Sequence, residues 1–247
     1  MIKQYELYLE LKGAKPKVWR NILVNKSMTV AELAYIILTV FEMRASHLFK
    51  VIAPVGKRLL KAYRLASGDS FDAVAFKKEH PNLSEMTHSY ELLDFVERDI
   101  STKNQNHLLF NVRKSKLEHA IASIGEQMEL WYDFGDDWFI KIKLINIEEV
   151  EENTKLPIVT KGKGFGIIED CGGIDGLKYI ITTSKNKDSD EYQNFIDWYG
   201  LEDIHFSSFD IEEMNQRLEV IPSIYKRSYE KKIVPTEEEL DLIVRRQ

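Results

Sequence analysis

Apolar and polar residues alternate over positions 5–12 at the start of the chain. This period-2 pattern is typical of a strand with one buried face. Gly13 and Pro16 then punctuate a turn, and residues 18–24 resume an extended pattern. The first 24 residues therefore predict a β-hairpin.

A helix is predicted directly after this hairpin. Thr29 and Glu32 have the spacing of a capping box, in which each side chain bonds to the other residue's backbone N–H. The apolar residues that follow recur at helical spacing, at positions 33, 36, 37, 40 and 41. A strand over residues 47–51 follows this helix.

Residues 55–110 have less regular patterns. Residues 61–66 suit a short strand, residues 71–78 are ambiguous, and residues 90–96 suit a helix. We interpret 55–110 as a divergent, insertion-like part of the chain.

Regular patterns return in the second half. Ser115 and Glu118 predict a second capping box, with Gly125 at the C-terminal end of its helix. Alternating residues on both sides of the turn at 133–137 predict a hairpin over 127–147. Helices are predicted at 176–183, at 190–199, and at 211–219, where Asp210 and Glu213 resemble a capping box.

These elements predict one α+β domain over residues 1–225. We expect a mixed, mainly antiparallel sheet with helices packed on one side. No Pro/Gly/Ser-rich linker divides the chain, and residues 226–247 are expected to form a peripheral C-terminal tail.

Composition limits the cellular compartments and the classes of partner that suit this chain. The chain is 44% hydrophobic, 30% charged and has a formal net charge of −6, so a wholly basic nucleic-acid-binding surface is excluded while a local basic patch is not. Cys171 is the single cysteine, which favours a reducing compartment. The N-terminus lacks a signal-peptide pattern, and no apolar stretch is long enough to span a bilayer, so we expect a cytoplasmic protein without a membrane partner.

Two acidic, glycine-containing turns carry the main candidate chemistry. Asp133, Asp136 and Asp170 could supply carboxylate ligands to Mg²⁺ or Mn²⁺ if the turns met in space. Such a cation could activate water for phosphodiester hydrolysis. Alternatively the aspartates serve the turns themselves, since Asp side chains accept hydrogen bonds from nearby backbone N–H groups.

Other residues have a structural and a functional interpretation. Trp19 and Arg20 could recognise a ligand, or Trp19 could be core and Arg20 could neutralise an acidic turn. His47, beside Leu48, is expected to be a partly buried histidine with satisfied hydrogen bonds rather than a ligand. Next to acidic residues the pKa of Cys171 should rise, which opposes nucleophilic catalysis.

Two further segments, one glycine-rich and one basic, also have a structural and a functional interpretation. The glycine-rich residues 162–166 could cradle an anion with Lys163 or form a flexible connector. A phosphate-contacting ridge or a solvated hairpin would both explain the basic residues Lys57, Arg58, Lys61 and Arg64.

Five short motifs, in order, resemble the pRiA4b plasmid ORF-three-like family over about residues 2–220. They are Pro16-Lys17-Val18-Trp19-Arg20, His47-Leu48-Phe49, Tyr132-Asp133-Phe134-Gly135-Asp136-Asp137-Trp138, Glu169-Asp170-Cys171-Gly172-Gly173, and Phe209-Asp210-Ile211-Glu212-Glu213-Met214-Asn215. Family members usually have Trp near Met43-Arg44 and prolines in place of Ile167-Ile168. The resemblance implies an α+β fold and an association with plasmids and insertion elements, with a resolvase-like label in some members, and it implies no reaction.

The leading functional hypothesis is a non-catalytic binding or accessory module for a protein or nucleic acid, because no complete catalytic constellation is present. The alternative is a metal-dependent phosphodiester hydrolase with Asp133, Asp136 and Asp170 as ligands and Arg20 or Lys163 holding phosphate. Both hypotheses use one candidate surface: Trp19, Arg20, His47, Tyr132, Asp133, Gly135, Asp136, Asp137, Trp138, Glu169, Asp170, Cys171, Gly172 and Gly173.

Overall fold

A computed structural model describes residues 1–93, 107–199 and 205–244. Its strands are β1 (Ile2–Leu11), β2 (Trp19–Asn25), β3 (Phe49–Pro54), β4 (Thr87–Glu91), β5 (His107–Asn111), β6 (Gln127–Tyr132), β7 (Trp138–Val150) and β8 (Ile158–Lys163). They form one sheet of order β5-β4-β3-β6-β7-β1-β2-β8. β4 and β5 pair in parallel, and all other neighbours pair antiparallel. Both predicted hairpins, β1–β2 and β6–β7, are confirmed.

The described helices lie between and after these strands. They are α1 (Val30–Val40), α2 (Gly56–Ser67), α3 (Ala73–Glu79), α4 (Leu117–Ala120), α5 (Gly173–Thr183), α6 (Asp190–Tyr199), α7 (Ile211–Lys231) and α8 (Glu237–Val244). With a single, mostly antiparallel sheet, they confirm the predicted single-domain α+β fold. Within the described residues, no helix is both long and apolar enough to cross a bilayer.

Helix α1 begins at the predicted capping box. Thr29 Oγ1 accepts from the Glu32 N–H at 3.1 Å, and Glu32 Oε2 accepts from the Thr29 N–H at 2.9 Å. Apart from Glu32, every residue of α1 is buried, because the helix lies between the sheet and α7. Its apolar residues form the centre of the hydrophobic core.

Three predictions of local structure are wrong. Residues 61–66 belong to helix α2, so the basic residues are not on a hairpin. Tyr90 lies in strand β4 opposite Val51 rather than in a helix over 90–96, of which residues 94–96 lie outside the described ranges. Ser115 does not cap α4, because its hydroxyl donates to the Asn111 carbonyl at 2.9 Å.

Helix α7 runs through the boundary predicted at residue 225. Tyr225 and Tyr229 are buried, and the Tyr229 ring stacks on Tyr35 with centroids 5.7 Å apart. At the N-terminus of α7, the Asp210 carboxylate accepts from the Glu213 N–H at 2.9 Å. The first turn of the predicted tail is therefore part of the core.

Candidate functional site

The first acidic turn connects β6 to β7 and is fixed by its own aspartates. Asp133 and Asp137 have φ values of 55° and 56°, in the left-handed region that Asp tolerates better than most residues. Asp133 Oδ1 accepts from the Gly135 N–H at 2.9 Å, and the Asp137 N–H donates to the Asp133 carbonyl at 2.8 Å. One oxygen of the Asp133 carboxylate therefore stabilises the turn, as the structural alternative predicted, while its other oxygen, Oδ2, faces His47.

Glu169 attaches the second acidic turn to the chain segment before β3. Its buried carboxylate accepts from the Arg44 N–H at 2.6 Å, from the Ser46 hydroxyl at 2.5 Å and from the Tyr132 hydroxyl. Burial, and then the charge of Glu169, raises the pKa of Tyr132, so this hydroxyl stays protonated and donates. With three donors around it, Glu169 holds the turn in position.

The two acidic turns touch each other. A β-carbon built on Gly173, at the start of α5, would lie 2.3 Å from the Asp136 carbonyl oxygen. Gly173 also has a φ of 68°, which favours glycine. Glycine at this position therefore allows the turns of β6–β7 and of residues 169–173 to meet.

His47 lies beside both turns. Its backbone N–H donates to the Tyr132 hydroxyl oxygen at 3.3 Å, and its carbonyl accepts from the Tyr229 hydroxyl. The imidazole packs edge-on against the Tyr132 ring at 5.8 Å between centroids. Tyr132 of β6 and Tyr229 of α7 thus hold the backbone of His47, and the Tyr132 ring packs against its side chain.

His47, Asp133 and Asp170 bring their ligand atoms together. His47 Nε2 lies 3.3 Å from Asp170 Oδ1 and 3.6 Å from Asp133 Oδ2, and the three atoms lie within 4.8 Å of one another. Among the described residues, Nε2 has no hydrogen-bond partner although it is shielded from solvent. The 3.3 Å contact therefore lacks the geometry of a hydrogen bond, and the 3.6 Å contact is longer than one.

Exposure within this group increases from one side to the other. The side chains of Asp133, His47 and Asp170 are 11%, 30% and 72% exposed. The group therefore has a protein-covered side at Asp133 and a solvent-facing side at Asp170. A cation held by these three atoms would keep positions open to water or a ligand.

Asp136, predicted as the third metal ligand, lies outside this group. Its Oδ2 is buried and lacks a hydrogen-bond partner within the described residues. Burial first, and then the charges of Asp136 and Asp170, raises the pKa of the Cys171 thiol to about 12. Cys171 is therefore protonated at neutral pH and unsuited to nucleophilic chemistry.

Sequence patterns did not identify His47 as a partner of the acidic turns. It precedes β3, and β3 pairs with β6, whose end carries Asp133. The Asp133 N–H accordingly donates to the carbonyl of Leu48. A correct pairing of these two strands was the missing information.

Arg20 is fully buried in β2, three strand positions from β6 in the sheet order. Its guanidinium donates to backbone carbonyls at 2.6 to 3.0 Å, namely those of Trp19, Val40, Lys163, Gly164 and Phe165. The Phe209 ring covers it at 3.6 Å from the centroid. A guanidinium in this position is not available to phosphate.

The glycine-rich residues 162–166 wrap around Arg20. Gly162 pairs with Arg20 across β2 and β8, and a β-carbon at Gly162 would lie 2.5 Å from the Phe209 ring. This segment is thus held by packing rather than being a flexible connector, and the Lys163 side chain is exposed at its start.

The remaining candidates divide between core and surface. Trp138 is buried in the core opposite Tyr132. Trp19 is partly exposed on the sheet, with its ring 5.9 Å from that of Tyr8. Arg58 of α2 donates to the carbonyls of His119 and Ala120, so part of the predicted basic ridge is used in packing.

Comparison with known proteins gives a family and a structural neighbour. No curated protein matches the chain. A crystal structure of a protein of unknown function from Methanosarcina mazei Go1 is similar, with a TM-score of 0.64 and 24% sequence identity over 86% of this chain and 96% of that chain. At this identity the likeness shows the fold alone. The family model described as plasmid pRiA4b ORF-3-like protein matches residues 3–217. This chain therefore belongs to the plasmid pRiA4b ORF-3-like protein family.

Proposed function

We propose that this protein is a cation-dependent binding module, with a divalent cation held by His47, Asp133 and Asp170. The observation that carries this proposal is the convergence of one imidazole nitrogen and two carboxylate oxygens within 4.8 Å of one another. Imidazole and carboxylate together suit Mn²⁺ and other divalent first-row cations. The cation would stabilise the junction of the two acidic turns and present it to a protein or nucleic-acid partner.

The spacing of the ligand atoms supports this assignment. A cation about 2.1 Å from each ligand separates neighbouring ligand atoms by roughly 3.0–3.4 Å. The distances from His47 Nε2 to the two carboxylate oxygens, 3.3 Å and 3.6 Å, need little adjustment to fit this range. A bound cation would also give the Nε2 lone pair the partner that it lacks among the described residues.

Isothermal titration of chelator-stripped protein with Mn²⁺ tests the proposal. We expect micromolar binding that weakens at least tenfold in Asp170→Asn, because the amide oxygen is a poorer ligand than a carboxylate. Asp137→Asn is the matched control, since Asp137 belongs to the same site region but lies outside the group. Absence of binding in the wild type, or equal loss in both variants, would refute the cation site.

A metal-dependent phosphodiester hydrolase is the second candidate. The observation that favours it is the 72% exposure of the Asp170 side chain, which would leave a bound cation accessible to water and substrate. Arg20 is buried, and the exposed Lys163 lies on β8, four strand positions from β6 in the sheet order, so this candidate has no phosphate contact assigned beside the group.

Incubation of the Mn²⁺-loaded protein with single-stranded and duplex oligonucleotides distinguishes the two functions. Cleavage that disappears in Asp133→Ala but persists in Asp137→Asn would assign the hydrolase. Cation binding without cleavage would assign the non-catalytic module.

A further inference from the structure

The sheet has a second face that presents aromatic rings and lysines to solvent. On antiparallel strands, side chains directly opposite one another project to the same face. Trp131 of β6 lies opposite both Phe139 of β7 and Lys50 of β3. All three are partly exposed, while their neighbours in the strands are buried.

The same register continues this face across β7, β1, β2 and β8. Tyr8 lies opposite Lys143, and Trp19 lies opposite Lys163. We call these outward residues of the central strands the open sheet face. Trp131 and Trp19 lie three strand spacings apart, about 14 Å.

The aromatic rings on the open sheet face form two clusters. Trp131 contacts Phe139 and Phe134 with ring centroids 5.1 Å apart in each pair, and the Phe134 side chain is 48% exposed. Tyr8 and Trp19 form the second cluster at 5.9 Å. Accessible rings of this kind are platforms on which nucleobases stack.

The open sheet face is positive although the chain is negative. Its cross-strand rows contain the lysines 12, 50, 141, 143, 161 and 163 and the glutamates 6, 10, 91, 129 and 148. Six lysines and five glutamates give +1, so with a total of −6 the rest of the chain carries −7. The face that carries the rings is therefore slightly positive, whereas the rest of the chain is negative.

Within the described residues most of these lysines form no close ion pair, although Lys50 lies opposite Glu91 and Lys141 lies opposite Glu10 and Glu129. Lys12 Nζ lies 2.6 Å from Glu129 Oε2. Within the part of the chain that the structure describes, the other five have no carboxylate oxygen within 4.0 Å. Lys50 Nζ lies 4.1 Å from the centre of the Trp131 ring, so a cation and a stacking surface are side by side.

We propose that the open sheet face binds single-stranded nucleic acid, with bases stacked on the two aromatic clusters and phosphates contacted by the lysines between them. Exposed rings favour single strands, because the bases of a duplex are stacked on each other and cannot stack on a protein. This proposal goes beyond the cation-dependent role proposed above: it assigns a second surface and its partner, and it does not require the cation.

Fluorescence anisotropy with labelled 20-nucleotide poly-dT and poly-U, in low salt and EDTA, tests whether the open sheet face binds single strands. We expect micromolar binding, weaker binding of a duplex of equal length, and at least a tenfold loss in Trp131→Ala. Trp131→Phe, which keeps a ring, should retain most of the affinity. Phe134→Ser provides an independent test in an exposed turn, and Tyr179→Ala, which removes an exposed ring on α5, is the control.

The double variant Lys141→Gln/Lys143→Gln should reduce the slope of log affinity against log salt by about 1.4, since each phosphate contact to a single strand contributes about 0.7. No binding by the wild type, equal loss in Tyr179→Ala, or binding of an acidic peptide that competes with the oligonucleotide would overturn the proposal. Because EDTA removes the cation, failure here leaves the Mn²⁺ titration unaffected, and failure of that titration leaves this assay unaffected.

Discussion

Gly173 packs against Asp136 so closely that a β-carbon would lie 2.3 Å from the Asp136 carbonyl oxygen. This contact joins the two acidic turns that supply Asp133 and Asp170. We predict that Gly173→Ala separates the turns, lowers the free energy of unfolding by more than about 3 kcal/mol and weakens Mn²⁺ binding at least tenfold. Urea unfolding and isothermal titration measure both effects.

Gly172→Ala is the matched control for this variant. Gly172 has a φ of 85°, so alanine there carries the same conformational cost, roughly 1–2 kcal/mol. Among the described residues, no atom outside its chain neighbours lies within 4 Å of a β-carbon at this position. If the two variants were equally destabilised, backbone strain and not the contact between the turns would be the cause.

A second prediction concerns the buried carboxylate of Glu169. The amide of Glu169→Gln keeps one acceptor oxygen and turns an NH₂ group toward donors from Arg44, Ser46 or Tyr132. We expect a loss of about 2–3 kcal/mol in the free energy of unfolding. Glu148→Gln, at an exposed position of β7, should change it by less than about 0.5 kcal/mol, and comparable losses in both would remove the role assigned to Glu169.

A third prediction concerns the contribution of the buried Arg20 guanidinium to the stability of the fold. A lysine has three donors and cannot reproduce the planar fork that reaches the carbonyls of Val40, Gly164 and Phe165. Arg20→Lys should therefore destabilise the fold by about 3 kcal/mol. Arg64→Lys, the same change at an exposed position of α2, should have little effect in the same urea titration.

The thiol of Cys171 provides a prediction on pH. Its pKa is raised from 9.0 to about 12, chiefly by burial, so the folded protein holds the thiol proton more tightly than the unfolded chain. This contribution to stability is complete below pH 9 and is lost as the pH rises toward 12. At pH 8.5 we expect the folded protein to react with a disulfide reagent at least about 100-fold more slowly than the urea-unfolded chain. Equal rates would show that the thiol is neither buried nor influenced by Asp136.

Much of the fold was predictable because its signals are local. The Thr29–Glu32 capping box and the apolar stripe after it define α1, and alternation defines both hairpins. Tyr90 was misassigned because apolar residues at 90, 92 and 93 fit a helix as well as a strand, and pairing with Val51 decides the outcome. Contacts between residues that are distant in the sequence override the local apolar pattern.

The candidate site was predictable in its parts and not in its arrangement. Both acidic turns are visible as short motifs, and the Asp133 carboxylate serves its own turn as well as the proposed ligand group. The partnership of His47 with Asp133 and Asp170 depends on the pairing of β3 with β6 and on the close approach at Gly173. Neither relationship follows from spacing along the chain.

Anomalous diffraction from a crystal soaked in Mn²⁺ tests the central claim most directly. We predict an anomalous peak within about 2.5 Å of His47 Nε2, of an Asp133 oxygen and of an Asp170 oxygen, and its absence from an Asp170→Asn crystal treated in the same way. A saturating soak without a peak between these three side chains, or with a peak that persists there in the variant, would contradict a cation site built from the two acidic turns and His47.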